Sequence, residues 1–100
     1  MIWCVDDDST IRDIEVYTLE QMGFEARGFS DGRTMLEALR GQKPELIILD
    51  IMMPGMDGLE VLKKLRADPA HRDIPVIMAT AKGTEMDKIG GLNSGADDYL

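Results

Sequence analysis

Met1-Ile2-Trp3-Cys4-Val5 runs straight into Asp6-Asp7-Asp8, and Leu46-Ile47-Ile48-Leu49 runs into Asp50. A short continuous apolar run reads as a buried parallel strand. In an open α/β sheet, ligands gather where the carboxyl ends of the strands emerge. If the two strands are neighbours, Asp6, Asp7 and Asp50 converge at one edge. Carboxylates held together repel one another unless a cation neutralises them, and all-oxygen ligation with room for water suits Mg²⁺. A carboxylate beside Mg²⁺ can also attack phosphorus, so one of the three is a candidate phosphoryl acceptor. Asp8 and Ser9 read differently, as caps of the helix that follows.

Around these two strands the pattern alternates strand and helix, with short joints marked by Gly or Pro, the signature of a parallel α/β sheet. Ile11, Ile14, Tyr17, Thr18, Leu19 and Met22 recur at helical spacing until Gly23 stops the helix. Phe24 to Phe29 reads as a second strand. Ser30 or Asp31 opens a second helix through Met35, Leu36 and Leu39 to Gly41. The loop Met52-Met53-Pro54-Gly55-Met56-Asp57-Gly58 leads to a third helix with Leu59, Val61, Leu62 and Leu65. Val76 to Ala79 is a fourth strand, Thr84 caps a fourth helix carrying Met86, Ile89 and Leu92, and a last strand begins near Asp98, Tyr99 and Leu100. One hundred residues without repeat or linker give one domain over residues 1–100.

Composition excludes several classes. With 19 acidic against 11 basic residues the net charge is −8, which disfavours a grip on nucleic-acid phosphates by this segment. The single cysteine, Cys4, lies inside an apolar strand and permits no disulfide within the chain, in keeping with a reducing cytoplasm. No segment is long and apolar enough for a membrane span. Trp3, Met22, Met35, Met78 and Met86 fall at core-phase positions, and His71, in a polar stretch, reads as solvated.

In these motifs the chain resembles the receiver domain of two-component response regulators over essentially its whole length. The resemblance rests on Asp6-Asp7, on Asp50 followed by Met53-Pro54-Gly55-Met56-Asp57-Gly58, on Pro75-Val76-Ile77-Met78-Ala79-Thr80-Ala81, and on Gly95-Ala96-Asp97-Asp98-Tyr99-Leu100. It implies a doubly wound, flavodoxin-like α/β fold with strand order 2-1-3-4-5. It implies Asp50 as phosphoacceptor from a histidine kinase or phosphotransfer protein, and Mg²⁺ held by Asp7, Asp50, the Met52 carbonyl and Asp6. It further implies Thr80 as the switch hydroxyl, Tyr99 as the switch aromatic, and an output domain or target protein outside this chain. Its members are signalling switches, not enzymes with turnover of their own.

The chain departs from the family pattern at one point. The family lysine-proline pair and the fifth helix would follow Tyr99, and neither falls within residues 1–100; Lys82, two residues past Thr80, is not that lysine. Two alternatives therefore stand beside the switch. One is a truncated receiver acting as an interaction fragment. The other is an aspartyl-nucleophile phosphatase of the haloacid-dehalogenase type, which wants an acid where Met52 stands. A chain ending at Leu100 is also expected to leave an apolar strip beside Val5, Leu49 and Met78 uncovered, and so to form homodimers, swap elements or aggregate.

Overall fold

The computed structural model describes residues 1–79 and 98–99. Its elements, in chain order, are β1 (Ile2–Val5), α1 (Ser9–Gln21), β2 (Ala26–Phe29), α2 (Gly32–Ala38), β3 (Leu46–Asp50), α3 (Gly58–Ala67), β4 (Val76–Ala79) and β5 (Asp98–Tyr99). The strands form one parallel five-stranded sheet in the order β2-β1-β3-β4-β5, as the family resemblance implies. The expected fourth helix, Thr80 and Lys82 lie outside the described residues.

Helix ends follow the local chemistry. The carboxylate of Asp8 accepts the Thr10 and Ile11 N–H groups at the start of α1, Asp31 accepts the Thr34 N–H for α2, and Asp57 accepts the Glu60 N–H for α3. At the other end of α1, Gly23 takes φ +94°. That conformation lets the Phe24 N–H reach the Leu19 carbonyl at 3.0 Å while the Gly23 N–H bonds to Glu20. These paired bonds are a Schellman stop, which favours glycine at this place.

The sheet's two faces are not equally covered. Side chains alternate across a strand, and one set, Trp3, Val5, Ile47, Leu49, Val76 and Met78, is fully buried in the main core with Met35 and Leu39 of the α2 segment and Val61, Leu62 and Leu65 of α3. Trp3 and Phe29 stack tilted there, 4.8 Å between ring centroids. The opposite face carries Cys4, Ile48 and Ile77; α1 lies over β1 and β2 on this side, and Ile48 and Ile77 are only half-buried.

Several expectations are corrected by this geometry. Val5, Leu49 and Met78 do not border an uncovered strip: these residues point to the α2 and α3 face and are buried. On α1, no residue is fully buried, and Ile11, Ile14, Tyr17 and Met22 face outward, Tyr17 and Met22 being more than three-fifths exposed. The inward stripe is instead Arg12, Glu15, Val16 and Leu19, one residue out of phase with the apolar pattern. An arginine and a glutamate on the inner face hid the true phase of this helix. His71 is not simply solvated either: its Nδ1 lies 2.9 Å from the Asp68 carboxylate, and its side chain is largely buried.

Candidate phosphoacceptor and metal site

The site is built where β1 and β3 end side by side. In register, Val5 is opposite Leu49, which brings the next residues of both strands, Asp6 and Asp50, to the same edge. One carboxylate oxygen each from Asp6, Asp7 and Asp50 lies within 4.8 Å of the others. Asp6 is buried, Asp50 half-buried and Asp7 exposed, so the cluster is closed on the protein side and open to water on the other.

Each backbone is held firmly. The Asp6 N–H continues the β1–β2 ladder to the Phe29 carbonyl at 3.1 Å. The Asp6 carbonyl accepts Arg12 Nη1 at 2.7 Å, and its carboxylate accepts the Asp8 N–H at 2.9 Å. The stem of Arg12 lies across Gly28, where a β-carbon would be 2.9 Å from Arg12 Cγ and Cδ. On the other strand, the Met52 N–H donates to Asp50 Oδ1 at 3.2 Å. The loop then closes as the Met53 and Gly58 N–H groups both bond to the Ile51 carbonyl, with Gly55 at φ +77° making the turn possible.

Crowding shows in the titration of these acids. Burial, then the charge of Asp6, pushes the Asp50 carboxyl up to about 6, with Asp7 adding to the rise and the Met52 N–H opposing it. Glu15 is raised to about 7, first by burial and then by Asp6 and Asp50. Both shifts have the sign expected when negative charges share a poorly solvated space. The donor set suits a hard divalent cation such as Mg²⁺ better than softer metals: carboxylate oxygens only, a buried floor and a wet side for water ligands. Cys4 does not join the site, since burial and the nearby Glu15 raise its thiol to about 12, where it stays protonated and inert.

Of the residues singled out from sequence, Asp6, Asp7 and Asp50 are brought together, and Met52 sits beside them through its backbone. Tyr99 enters through its backbone alone, in β5 opposite Met78; Thr80 lies outside the described residues. Sequence reasoning missed Arg12 and Glu15. Their signal was their spacing from the Asp8 cap, which places residues 12, 15, 16 and 19 on one helical face.

Comparison with known proteins agrees with this geometry. The chain matches the response regulator receiver domain family over residues 2–100. It is 41% identical over 99 residues to the phosphate regulon transcriptional regulatory protein PhoB of Escherichia coli (strain K12), covering 99% of this chain and 43% of that protein. It is 43% identical to the alkaline phosphatase synthesis transcriptional regulatory protein PhoP of Bacillus subtilis (strain 168), covering 99% of this chain and 40% of that protein. The chain thus spans less than half the length of these relatives. Among solved structures, it superposes on the N-terminal domain of a response regulator receiver protein from Methanoculleus marisnigri JR1 with TM-score 0.89 at 42% identity, over 99% of this chain and 80% of that one. On the chemotaxis protein CheY4 of Vibrio cholerae the TM-score is 0.92 at 31% identity, covering 99% and 82% respectively.

Proposed function

The chain belongs to the response regulator receiver domain family, and from that membership we propose that Asp50 accepts a phosphoryl group from a histidine kinase or phosphotransfer protein in a Mg²⁺-dependent reaction. At family level the statement is general: receivers are phosphoacceptor modules built on a cluster of aspartates, they pair with histidine kinases, and they do not turn over a separate substrate. The observation that carries the finer assignment is the juxtaposition of Asp6, Asp7 and Asp50 within 4.8 Å at the ends of β1 and β3.

The chain's own atoms supply most of the chemistry. Asp50 stands at the mouth of the cluster with one oxygen tied to the Met52 N–H, which fixes the carboxylate plane. An Asp50 oxygen forms the new P–O bond while the P–N bond to the donor imidazole breaks and its electron pair returns to the ring. Asp6, held by Arg12 and the Asp8 N–H, and Asp7 would hold Mg²⁺ together with Asp50 and the Met52 carbonyl. That cation, when bound, masks the charge of nucleophile and donor and steadies the phosphoryl oxygens. Residues 1–100 form one receiver domain in this proposal, in the cytoplasm, with Thr80 and Tyr99 reading the phosphorylated state. An output segment outside this chain would act downstream; the transcription-regulator names of its relatives make DNA-binding output the preferred class.

One observation favours a second reading, an interaction module whose output is docking rather than a side-chain switch: Ile14 and Tyr17 of α1 stand 60% and 63% exposed. The two readings part in one experiment. The protein is treated with acetyl phosphate and Mg²⁺, trapped with borohydride and mapped by mass spectrometry, with amide spectra recorded before and after. Label at Asp50 with shifts at Thr80 and Tyr99 supports the switch. Label at Asp50 without those shifts supports the docking module. Label that persists in Asp50→Asn overturns the assignment of the acceptor.

A further inference from the structure

On the face of the sheet opposite α1, a groove runs between α2 and α3. Its floor is Leu36 and Met56, both partly buried against the core. Its walls are Arg33, Arg40 and Lys64 with a single carboxylate, Glu37, and it encloses about 200 Å³. A second hollow of about 250 Å³ continues it past Arg33 and Met56 toward Pro54 and Gly55 of the β3–α3 loop. Three cations around an apolar floor are notable in a chain whose net charge is −8. Among the described residues Arg40 and Lys64 hold no salt bridge, and both are exposed.

The same molecule carries the complementary surface. Helix α1 exposes Ile14 at 60% and Tyr17 at 63%, and Asp13 and Glu20, also exposed, flank them. Tyr17 is four residues from Asp13 and three from both Ile14 and Glu20, so the four side chains fall within about a third of the helix circumference. This is an acidic helix with an apolar ridge. The groove is basic with an apolar floor, the geometry by which amphipathic helices are received. Because α1 and the groove lie on opposite faces of one sheet, a molecule cannot fill its own groove.

We infer that α1 of one copy docks in the α2–α3 groove of a second copy, Ile14 and Tyr17 over Leu36 and Met56, Asp13 and Glu20 against Arg33, Arg40 and Lys64. Such a contact uses two different patches. It is heterologous and builds head-to-tail chains instead of a two-fold dimer. The patches are small, so association is weak and reversible, and opposite charges at its rim make it sensitive to salt. It does not depend on phosphorylation of Asp50.

Sedimentation velocity across a concentration series tests it with two charge-reversed variants. One carries Arg40→Glu and Lys64→Glu in the groove; the other carries Asp13→Lys and Glu20→Lys on α1. All four positions are exposed, and circular dichroism checks that the fold is kept. The wild-type protein is expected to show a rising mass average toward millimolar concentration, weakened several-fold by raising salt. Each variant alone should lose about tenfold or more in association. An equimolar mixture should recover it, because the reversed groove then meets the reversed helix and the two native surfaces meet each other. A wild-type protein that stays monomeric throughout, or association that neither variant alters, overturns the inference. Loss with the groove variant alone shows a different segment in the groove and overturns α1 as its occupant.

Discussion

Gly58 packs so tightly on Asp50 that no side chain fits between them: a β-carbon at Gly58 would overlap the Asp50 carbonyl oxygen and lie 2.8 Å from Ile51 Cα. The first turn of α3 is therefore seated on the strand end that presents the acceptor. Gly58→Ala is expected to cost about 1–3 kcal/mol by overpacking against immobile backbone, and to lower Mg²⁺ affinity by displacing Asp50. Gly41→Ala is the control, since nothing lies within 4 Å of a β-carbon there. Urea denaturation of both variants checks the difference; equal midpoints would show that the contact relaxes freely.

Neutralising one member of the acidic cluster should separate repulsion from metal binding. Asp50→Asn removes a carboxylate that burial and Asp6 already disfavour in its charged form. The metal-free protein should be equal in stability or up to about 1 kcal/mol better at pH 8, a modest gain because water screens the open side. That corresponds to roughly 4–8 °C in a domain of this size. Added Mg²⁺ should raise the wild-type midpoint and leave Asp50→Asn nearly unmoved. Identical responses to Mg²⁺ would dissociate Asp50 from the metal.

The pH dependence of metal-free stability follows from Asp50 and Glu15, which face Asp6, Asp7 and Cys4 across the strand ends. Their folded values, about 6 and about 7, lie above the ordinary carboxylate range. A raised acid contributes stability that is fully present below its unfolded value and is lost as pH rises through its folded value. Metal-free stability should thus decline between about pH 4 and about pH 7. Glu15→Gln should flatten the upper part of that decline and melt higher than wild type at pH 8. Saturating Mg²⁺ should flatten the part due to Asp50. A metal-free stability that climbs steadily from pH 5 to pH 8, unchanged in Glu15→Gln, would contradict both shifts.

Asp57 and Asp50 are seven residues apart and do different work. Asp57 caps α3 through the Glu60 N–H at 2.9 Å. Asp57→Ala should lower stability by about 1 kcal/mol, the usual cost of losing a helix cap, with the acetyl phosphate label at Asp50 retained. Loss of the label without loss of stability would place Asp57 in the chemistry.

The strand ends, the caps and the site were legible because each depends on neighbours in sequence. Asp8, Asp31 and Asp57 cap helices through N–H groups two or three residues ahead, and a side chain that short can be read from local order. The apolar runs ending in Asp6 and Asp50 likewise announced parallel strands whose carboxyl ends carry ligands. The phase of α1 was not legible. Its apolar residues at 11, 14, 17 and 22 form a convincing stripe, yet the structure turns Arg12 and Glu15 inward. Arg12 satisfies the Asp6 carbonyl at 2.7 Å, and burial of that stem on Gly28 outweighs the missing hydrophobic match.

The chain alone therefore determined which of the described elements form, where the helices are capped and which acids stand at strand ends, since hydrogen bonds and periodicity within a dozen residues govern these. Only the tertiary structure decided that Val5 pairs with Leu49, so that Asp6 meets Asp50, and that residues from 33 to 40 share a groove with Met56 and Lys64. It also decided which face of α1 is buried. These outcomes depend on how packed layers compete for the same surface, and that competition is settled between segments far apart in the sequence.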